Sequence, residues 1–499
     1  MGQLSVRAVS ETLRRHPVWT GVTLTFLASL LLRWLYLRTA PDRDWPFSIF
    51  FYGDSRFFHT AALAWARGTE PEATLPYHPP LFPWFLSLLY RALGEPQGSA
   101  YPYKLGLAVL GSGTVALTWA WWRKLLGTGW SLLAAGLYAS SFGWLVLSTT
   151  YSNEVLYALL LSATCALVLA GPRSWRGALA LGAVMGLGTL TRAEHLSLWP
   201  FLLGFAWLRR APSTPPSAWL LRWGVALGVS ALVLLPSAVH NARVLRELNE
   251  RTPQLEPLPE FTPVTVYGPI NFAMANHTGA TGGFAPDLIN QGGHNGQLDA
   301  TLPAHRHLLL HGYAEGLRWL AEHPSDAASL LGAKLSRWLD GLSLGLGVSN
   351  LPAGLSGNRA PVDVFVPDSP GLKWPLALLL LAGMGLSLRA AHRDFLLLTG
   401  VVLHRLLITL AFFGYSRGML AVFPALLPLL LLPLKALAQR REVLAERLCV
   451  IATAALLLLW LEAGLASQDM PRRFMATGST DTVSGRLIQD DWVRVWPRP

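Results

Sequence analysis

Apolar residues in this chain gather into long continuous runs separated by short breaks rich in charge, proline or glycine. The runs fall at 18–38, 103–122, 130–149, 155–171, 177–191, 196–208, 223–239, 374–388, 395–413, 419–435 and 448–465. Most approach the roughly 20 residues that a helix needs to cross the hydrocarbon of a bilayer. They are continuously apolar rather than alternating, which excludes a transmembrane β-barrel. The pattern predicts an all-α polytopic membrane protein. Two stretches read differently. In G-D-S-R-F-F-H-T-A-A-L-A-W-A-R-G, residues 53–68, Phe57, Phe58, Ala61, Ala62 and Trp65 share one helical face, so a helix lying on the membrane is expected. Residues 80–93 are too short for a full crossing and predict an interfacial or re-entrant helix.

The distribution of basic residues orients these spans. Placing the N-terminus with Arg7, Arg14 and Arg15 in the cytoplasm makes every short cytoplasmic loop basic: Arg123 and Lys124; Arg173 and Arg176; Arg209, Arg210 and Arg222; Arg389 and Arg393; Lys435, Arg440, Arg441 and Arg447. The outer face then receives residues 39–102, 150–154, 192–195, 240–373, 414–418 and a tail from 466. Four parts follow: a transmembrane module over 1–239 that carries the first outer loop at 39–102, a large extracytoplasmic loop at 240–373, C-terminal spans at 374–465, and an extracytoplasmic tail at 466–499. The large loop is crowded with Gly, Asn and Pro between 261 and 300, predicting irregular structure and short helices, with an amphipathic helix at about 326–340. The first run follows basic residues as a signal peptide would, but no A-x-A-like site precedes Pro41, so an uncleaved span is expected.

Composition agrees with this picture and narrows the chemistry. The 499 residues are 52% hydrophobic and 14% charged, against about 25% charge in a soluble domain. The formal net charge of +11 would suggest nucleic acid in a soluble protein; here the basic residues flank apolar runs, and their partners are anionic membrane lipids. Cys165 and Cys449 both lie in apolar runs and suggest neither a disulfide framework nor a metal site. No phosphate-binding loop, dinucleotide fingerprint or H-E-x-x-H motif is present, so ATP-driven transport, nicotinamide chemistry and zinc hydrolysis lack support. Asp42-Arg43-Asp44 is a lone D-x-D with a local cationic partner, and no cofactor or metal is expected.

Ionisable residues near membrane depth are costly and therefore candidates for function. The orientation puts Asp54, His59, Tyr77, His78, Glu154, Arg192, Glu194, His195 and Arg417 on the outer face, where they could share one cavity. Each also has a purely structural explanation. Asp54 could cap its helix and Glu154 could favour a helix N-terminus; Arg192 could pair locally with Glu194, and Arg417 could snorkel. His78 sits in the rigid turn P-Y-H-P-P. Lys334 and Trp338, four apart, read as part of an interfacial helix face. Asn276-His277-Thr278 matches a glycosylation sequon, a pattern common by chance.

The first-loop helix followed by P-Y-H-P-P-L-F-P-W resembles the start of the GT-C glycosyltransferases, nearest to glycosyltransferase family 39: the protein O-mannosyltransferases and aminoarabinose transferases. The resemblance continues through S-N-E-V-L-Y, L-T-R-A-E-H-L-S-L-W-P, G-P-I-N-F-A-M-A-N, E-H-P-S-D-A-A-S-L-L-G-A-K-L-S-R-W and Y-S-R-G-M-L-A-V-F-P, in the family's order. It implies a GT-C fold with about 11 to 13 transmembrane helices, juxtamembrane helices in the first outer loop and a mostly irregular or helical outer loop. It also implies metal-independent, inverting transfer of a sugar from a polyprenyl-phosphate donor to a glycan, lipid or protein acceptor on the extracytoplasmic side, in a bacterial plasma membrane. Asp54 then matches the family's base, with Glu154 orienting a substrate or sharing that role. Arg192, Arg417 and His78 become donor-phosphate contacts, His78 standing where relatives often carry lysine. His59, Tyr77, His195 and Asn276 are candidate substrate contacts. A lipid-linked-sugar flippase and a glycan polymerase or ligase are the competing readings; the first would need repeat symmetry and broken midplane helices, which the sequence does not show.

Overall fold

A computed structural model describes residues 17–39, 52–69, 71, 75–96, 100–284, 287–290, 298–343 and 370–440. The run at 448–465, the tail, Cys449 and the D-x-D at 42–44 lie outside the described residues. Within them the chain is helical, and no strand occurs. Helix α1 (Pro17–Thr39) is followed by α2 (Tyr52–Ala66), α3 (Leu81–Leu93), α4 (Tyr101–Leu126), α5 (Thr128–Ser140), α6 (Phe142–Leu147), α7 (Glu154–Ala170) and α8 (Trp175–Thr191). A 3-10 turn at Ala193–Leu198 leads into α9 (Trp199–Leu208) and α10 (Pro216–Arg251). The segment that loop charge assigns to the outer face, called the outer segment below, holds α11 (Gly268–Ala275), α12 (Asp287–Asn290), α13 (Pro303–Glu322) and α14 (Pro324–Ser343). The chain then returns through α15 (Pro370–Ser387), α16 (Phe395–Ala411), α17 (Ser416–Leu420) and α18 (Phe423–Arg440).

Among the described residues, α1, α4 and α10 are long and apolar enough to cross a membrane, and shorter apolar helices include α3, α7, α15, α16 and α18. The protein is an integral membrane protein. Leu24, Leu27 and Leu31 form an exposed stripe on α1, while Ser29, Arg33, Tyr36 and Leu37 on the other side are buried. Lipid against the leucines would stabilise this arrangement. On α10, Leu232, Leu235 and Val239 are exposed, and Trp223, Ala226, Ser230 and Leu234 face inward at helical spacing.

The structure departs from the sequence expectations in physically interpretable places. The run at 130–149 is not one helix. Ser141 leaves the helical region (φ −55°, ψ 122°), and its hydroxyl accepts from the Trp144 amide, so α5 ends and α6 begins there. The runs at 196–208 and 419–435 likewise start with a separate short turn. Helix α10 runs on to Arg251, past the expected span end at 239. Its 36 residues reach about 54 Å, well beyond a ~30 Å hydrocarbon core. Asn241 and Leu245 continue its buried stripe, and Arg306 closes its end by donating to the Thr252 hydroxyl (2.8 Å) and the Glu256 carbonyl (2.8 Å). The outer segment is also more helical than its composition suggests. Gly312 and Gly316 let α13 pass directly beneath α11, where a Cβ would strike Pro269 and Phe272.

The packing of α8 on α10 rests on small residues. Ala178, Gly182 and Gly186, spaced every four along α8, lie against α10; a Cβ at Gly182 or Gly186 would collide with the backbone carbonyl of Ala226 or with Val233. Small residues at this spacing allow close backbone approach where no hydrophobic effect drives helices together. Gly182→Leu is expected to destabilise the protein by about 1–3 kcal/mol or more, read as a lower unfolding midpoint in detergent. Gly224→Leu, at a position with open space around it, should leave the midpoint unchanged.

Candidate active site

Four chain segments converge at one end of the bundle. Asp54 stands in the first turn of α2, Glu154 is the first residue of α7, Arg192 follows α8, and Arg417 lies in α17. The basic-loop pattern puts these ends on one side, which allows them to meet.

The side chains form a chain of alternating charge. Arg417 Nη1 donates to Asp54 Oδ2 at 3.2 Å, and its Nε lies 3.7 Å from Glu154 Oε1. Arg192 Nη1 donates to the same Glu154 oxygen at 2.7 Å, and its Nε to Glu194 Oε1 at 2.6 Å. Arg405 Nη1 completes the series on Glu194 Oε1 at 2.8 Å. The Ser152 hydroxyl donates to the other oxygen of Glu154. The Asp54 side chain is 37% exposed, the most of the series, so the cluster opens at a mouth beside Asp54; Glu154 is 1% exposed, and Arg192 and Glu194 are 16% and 18% exposed. Burial raises the pKa of Asp54, but Arg417 and His78 more than offset it and hold its carboxyl below the usual carboxylate range. Burial holds the His78 imidazole below its ordinary value against the pull of Asp54.

Local structure fixes this mouth. His78 Nε2 is 4.0 Å from Asp54 Oδ1. The His78 ring packs on Phe57 (4.6 Å between centroids), Phe58 and Tyr267. Its proline-rich turn is pinned to the outer segment: the Val266 amide donates to the Pro76 carbonyl (3.0 Å), and the Tyr77 hydroxyl to the Leu298 carbonyl (3.0 Å). On the other side, the Arg417 guanidinium lies 4.9 Å above the Tyr415 ring. The Gly414 amide donates to the Gly282 carbonyl at 2.8 Å, so the segment that carries Arg417 is also tied to the outer segment.

Of the residues singled out from sequence, Asp54, His78, Glu154, Arg192, Glu194 and Arg417 are together, and Tyr77 packs with His78 on Tyr267. His59, His195 and Asn276 face elsewhere. His59 is buried between α2 and α3, its Nδ1 2.8 Å from the Tyr90 hydroxyl. His195 is enclosed against Tyr157 with Nε2 3.4 Å from Thr164. Asn276 donates to the Phe272 (2.8 Å) and Ala411 (2.9 Å) carbonyls and accepts from Lys334 Nζ (2.8 Å). Lys334 and Trp338 are not interfacial: both are buried, and the lysine also donates to the Leu410 carbonyl at the end of α16 (3.0 Å). Burial without a carboxylate partner lowers the Lys334 pKa to about 8. Sequence reading missed Arg405. Its signal was an arginine inside the apolar run at 395–413, where a charge needs a partner. The local pair of Arg192 with Glu194 is present, but Arg192 also reaches Glu154.

The architecture is that of a GT-C fold. Residues 77–239 match the family described as dolichyl-phosphate-mannose-protein mannosyltransferase. The chain is similar to the oligosaccharyltransferase AglB from Archaeoglobus fulgidus, solved with an inhibitory peptide and a dolichol-phosphate, with 13% identity, a TM-score of 0.50 and 98% of this chain covered. It spans 60% of the length of that archaeal protein. ArnT from Cupriavidus metallidurans bound to undecaprenyl phosphate also matches, at 16% identity over 91% of this chain and 89% of that one, with a TM-score of 0.34. No curated protein matches the chain by sequence.

The buried His59 gives a pH expectation. Burial, helped by Arg67 and opposed by Glu95, lowers its pKa to about 4. Between pH 6.5 and 4 the unfolded chain therefore binds a proton that the folded one does not, so this contribution destabilises the protein as pH falls through that window. His59→Phe should flatten the fall in unfolding midpoint from pH 6.5 to 4; an unchanged slope would mean that His59 titrates alike in both states.

Proposed function

We propose that this protein is a GT-C-type glycosyltransferase that moves a sugar from a polyprenyl-phosphate carrier to an acceptor on the extracytoplasmic side of the membrane. The observation that carries this reading is the bridging of Asp54 and Glu154 by Arg417 at the mouth of a buried charge chain. The family match over 77–239 supports it, as does a fold similar to that of a protein solved with dolichol-phosphate.

In the proposed reaction the acceptor oxygen or nitrogen attacks the anomeric carbon, the bond from that carbon to the phosphate oxygen breaks, and the acceptor's proton passes to Asp54. The polyprenyl phosphate leaves with the bonding electrons. A phosphate leaving group needs no acid, only cations against its charge, and Arg417 and Arg192 offer planar forks of donors for this. Paired with Arg417, Asp54 is ionised but a weak base. A phosphate that shares Arg417 loosens that pair and restores basicity to the carboxylate, so that proton removal is favoured when donor is present. Glu154 holds both arginines in place. Every carboxylate of the cluster already has a guanidinium partner that a divalent cation would have to displace, which favours metal-independent transfer. The aromatic rim of Phe57, His78, Tyr267 and Tyr415 offers flat faces to a sugar. The acceptor in this reading is a glycan, a lipid or a protein.

Transfer of radiolabelled sugar from polyprenyl-phosphate donors to membrane acceptors tests it. Asp54→Asn should lower the rate by about 10²- to 10⁴-fold while leaving carrier binding within about threefold of wild type. Full transfer by that variant would remove Asp54 as the base. Carrier movement across liposomes without transfer by wild type would replace the enzyme with a flippase.

A further inference from the structure

Arg405 lies in α16, an apolar helix, with its side chain 4% exposed. Its position is specific on two counts. It donates to Glu194 Oε1, the oxygen that also accepts from Arg192 Nε. Its guanidinium also fills the space beside Gly418, where any Cβ would collide with Nη2, Cζ and Nε. Gly418 directly follows Arg417, so Arg405 touches the supports of both arginines placed on the carrier phosphate.

The charge arithmetic of the cluster explains what this contact does. Arg405, Arg192 and Arg417 balance Glu194, Glu154 and Asp54. One carboxylate oxygen shared by two guanidinium groups cannot neutralise both. Arg405 thus draws part of the Glu194 charge away from Arg192 and leaves Arg192 with positive potential toward Glu154 and the mouth. Without Arg405 the cluster carries a net negative charge, and Glu194 serves Arg192 alone.

We infer that Arg405 is a positioning residue that keeps Arg192 electropositive toward a lipid-linked phosphate by sharing Glu194 with it. The inference deepens the proposed function and rests on the carrier-phosphate reading of the site. Arg405 touches no reacting atom; it acts on affinity for the carrier rather than on the proton transfer.

The test measures binding of undecaprenyl phosphate to the purified full-length protein, together with donor KM and kcat. Arg405→Met should weaken carrier binding and raise donor KM about tenfold, with kcat within about threefold. Glu194→Gln, which removes the competing charge, should bind the carrier at least as tightly as wild type. The double variant should recover to within about threefold of wild type, which a merely structural role for Arg405 would not allow. Unchanged binding in Arg405→Met, or no recovery in the double variant, overturns the inference while the carrier-phosphate reading stands. If Arg405→Met does not fold, Glu194→Gln decides alone: tighter or equal binding supports the inference, and weaker binding overturns it. Wild type that binds no polyprenyl phosphate overturns the reading of the site itself.

Discussion

A fully buried carboxylate at a helix end is tolerable only if cations reach it, and Glu154 is that carboxylate. Its Oε1 lies within reach of Arg192 from one side and Arg417 from the other. Removing one member of a buried ion pair typically costs about 3–5 kcal/mol, because it strands the partner's charge. The requirement constrains much of the rest. The C-terminal end of α8, the N-terminal end of α7 and the segment before α18 must meet on one side of the bundle, which constrains the direction of the helices between them. The chain of pairs then extends outward to Asp54 and inward to Arg405, alternating in sign so that no charge lacks a neighbour of opposite sign.

The outer segment is part of the same construction. It holds the His78 turn through Pro76 and Tyr77, and the Arg417 segment through Gly414, while Lys334 and Asn276 tie it to the end of α16. The buried lysine donates to a carbonyl at a helix C-terminus, where the helix dipole favours a cation. A segment that composition marks as irregular thus sets the geometry of both walls of the mouth.

Most of the apolar helices, the amphipathic α2 and α14, and the meeting of Asp54, Glu154, Arg192 and Arg417 at one end of the bundle were legible in the sequence because each depends on local periodicity or on the charge of short loops. What could not be read depends on partners distant in sequence. Arg405 lies 211 residues from Glu194, and only folding shows which carboxylate justifies an arginine in an apolar run. Lys334 looked amphipathic by spacing, since periodicity cannot tell lipid from a packed carbonyl. Loop parity groups His59 and His195 with the cluster, but both point into packing, a matter of side-chain direction that parity does not resolve. The break at Ser141 was hidden because the surrounding residues stay apolar on both sides.

In the proposed reaction the arginine–carboxylate chain receives a lipid-linked phosphate. The most direct measurement is a cryo-electron microscopy map of the full-length protein in nanodiscs with undecaprenyl phosphate. Phosphate density within hydrogen-bond distance of Arg417 and Arg192, with the Asp54 carboxylate moved off Arg417, is the expected result. Phosphate bound elsewhere, with the pair between Arg417 and Asp54 intact, would contradict the account.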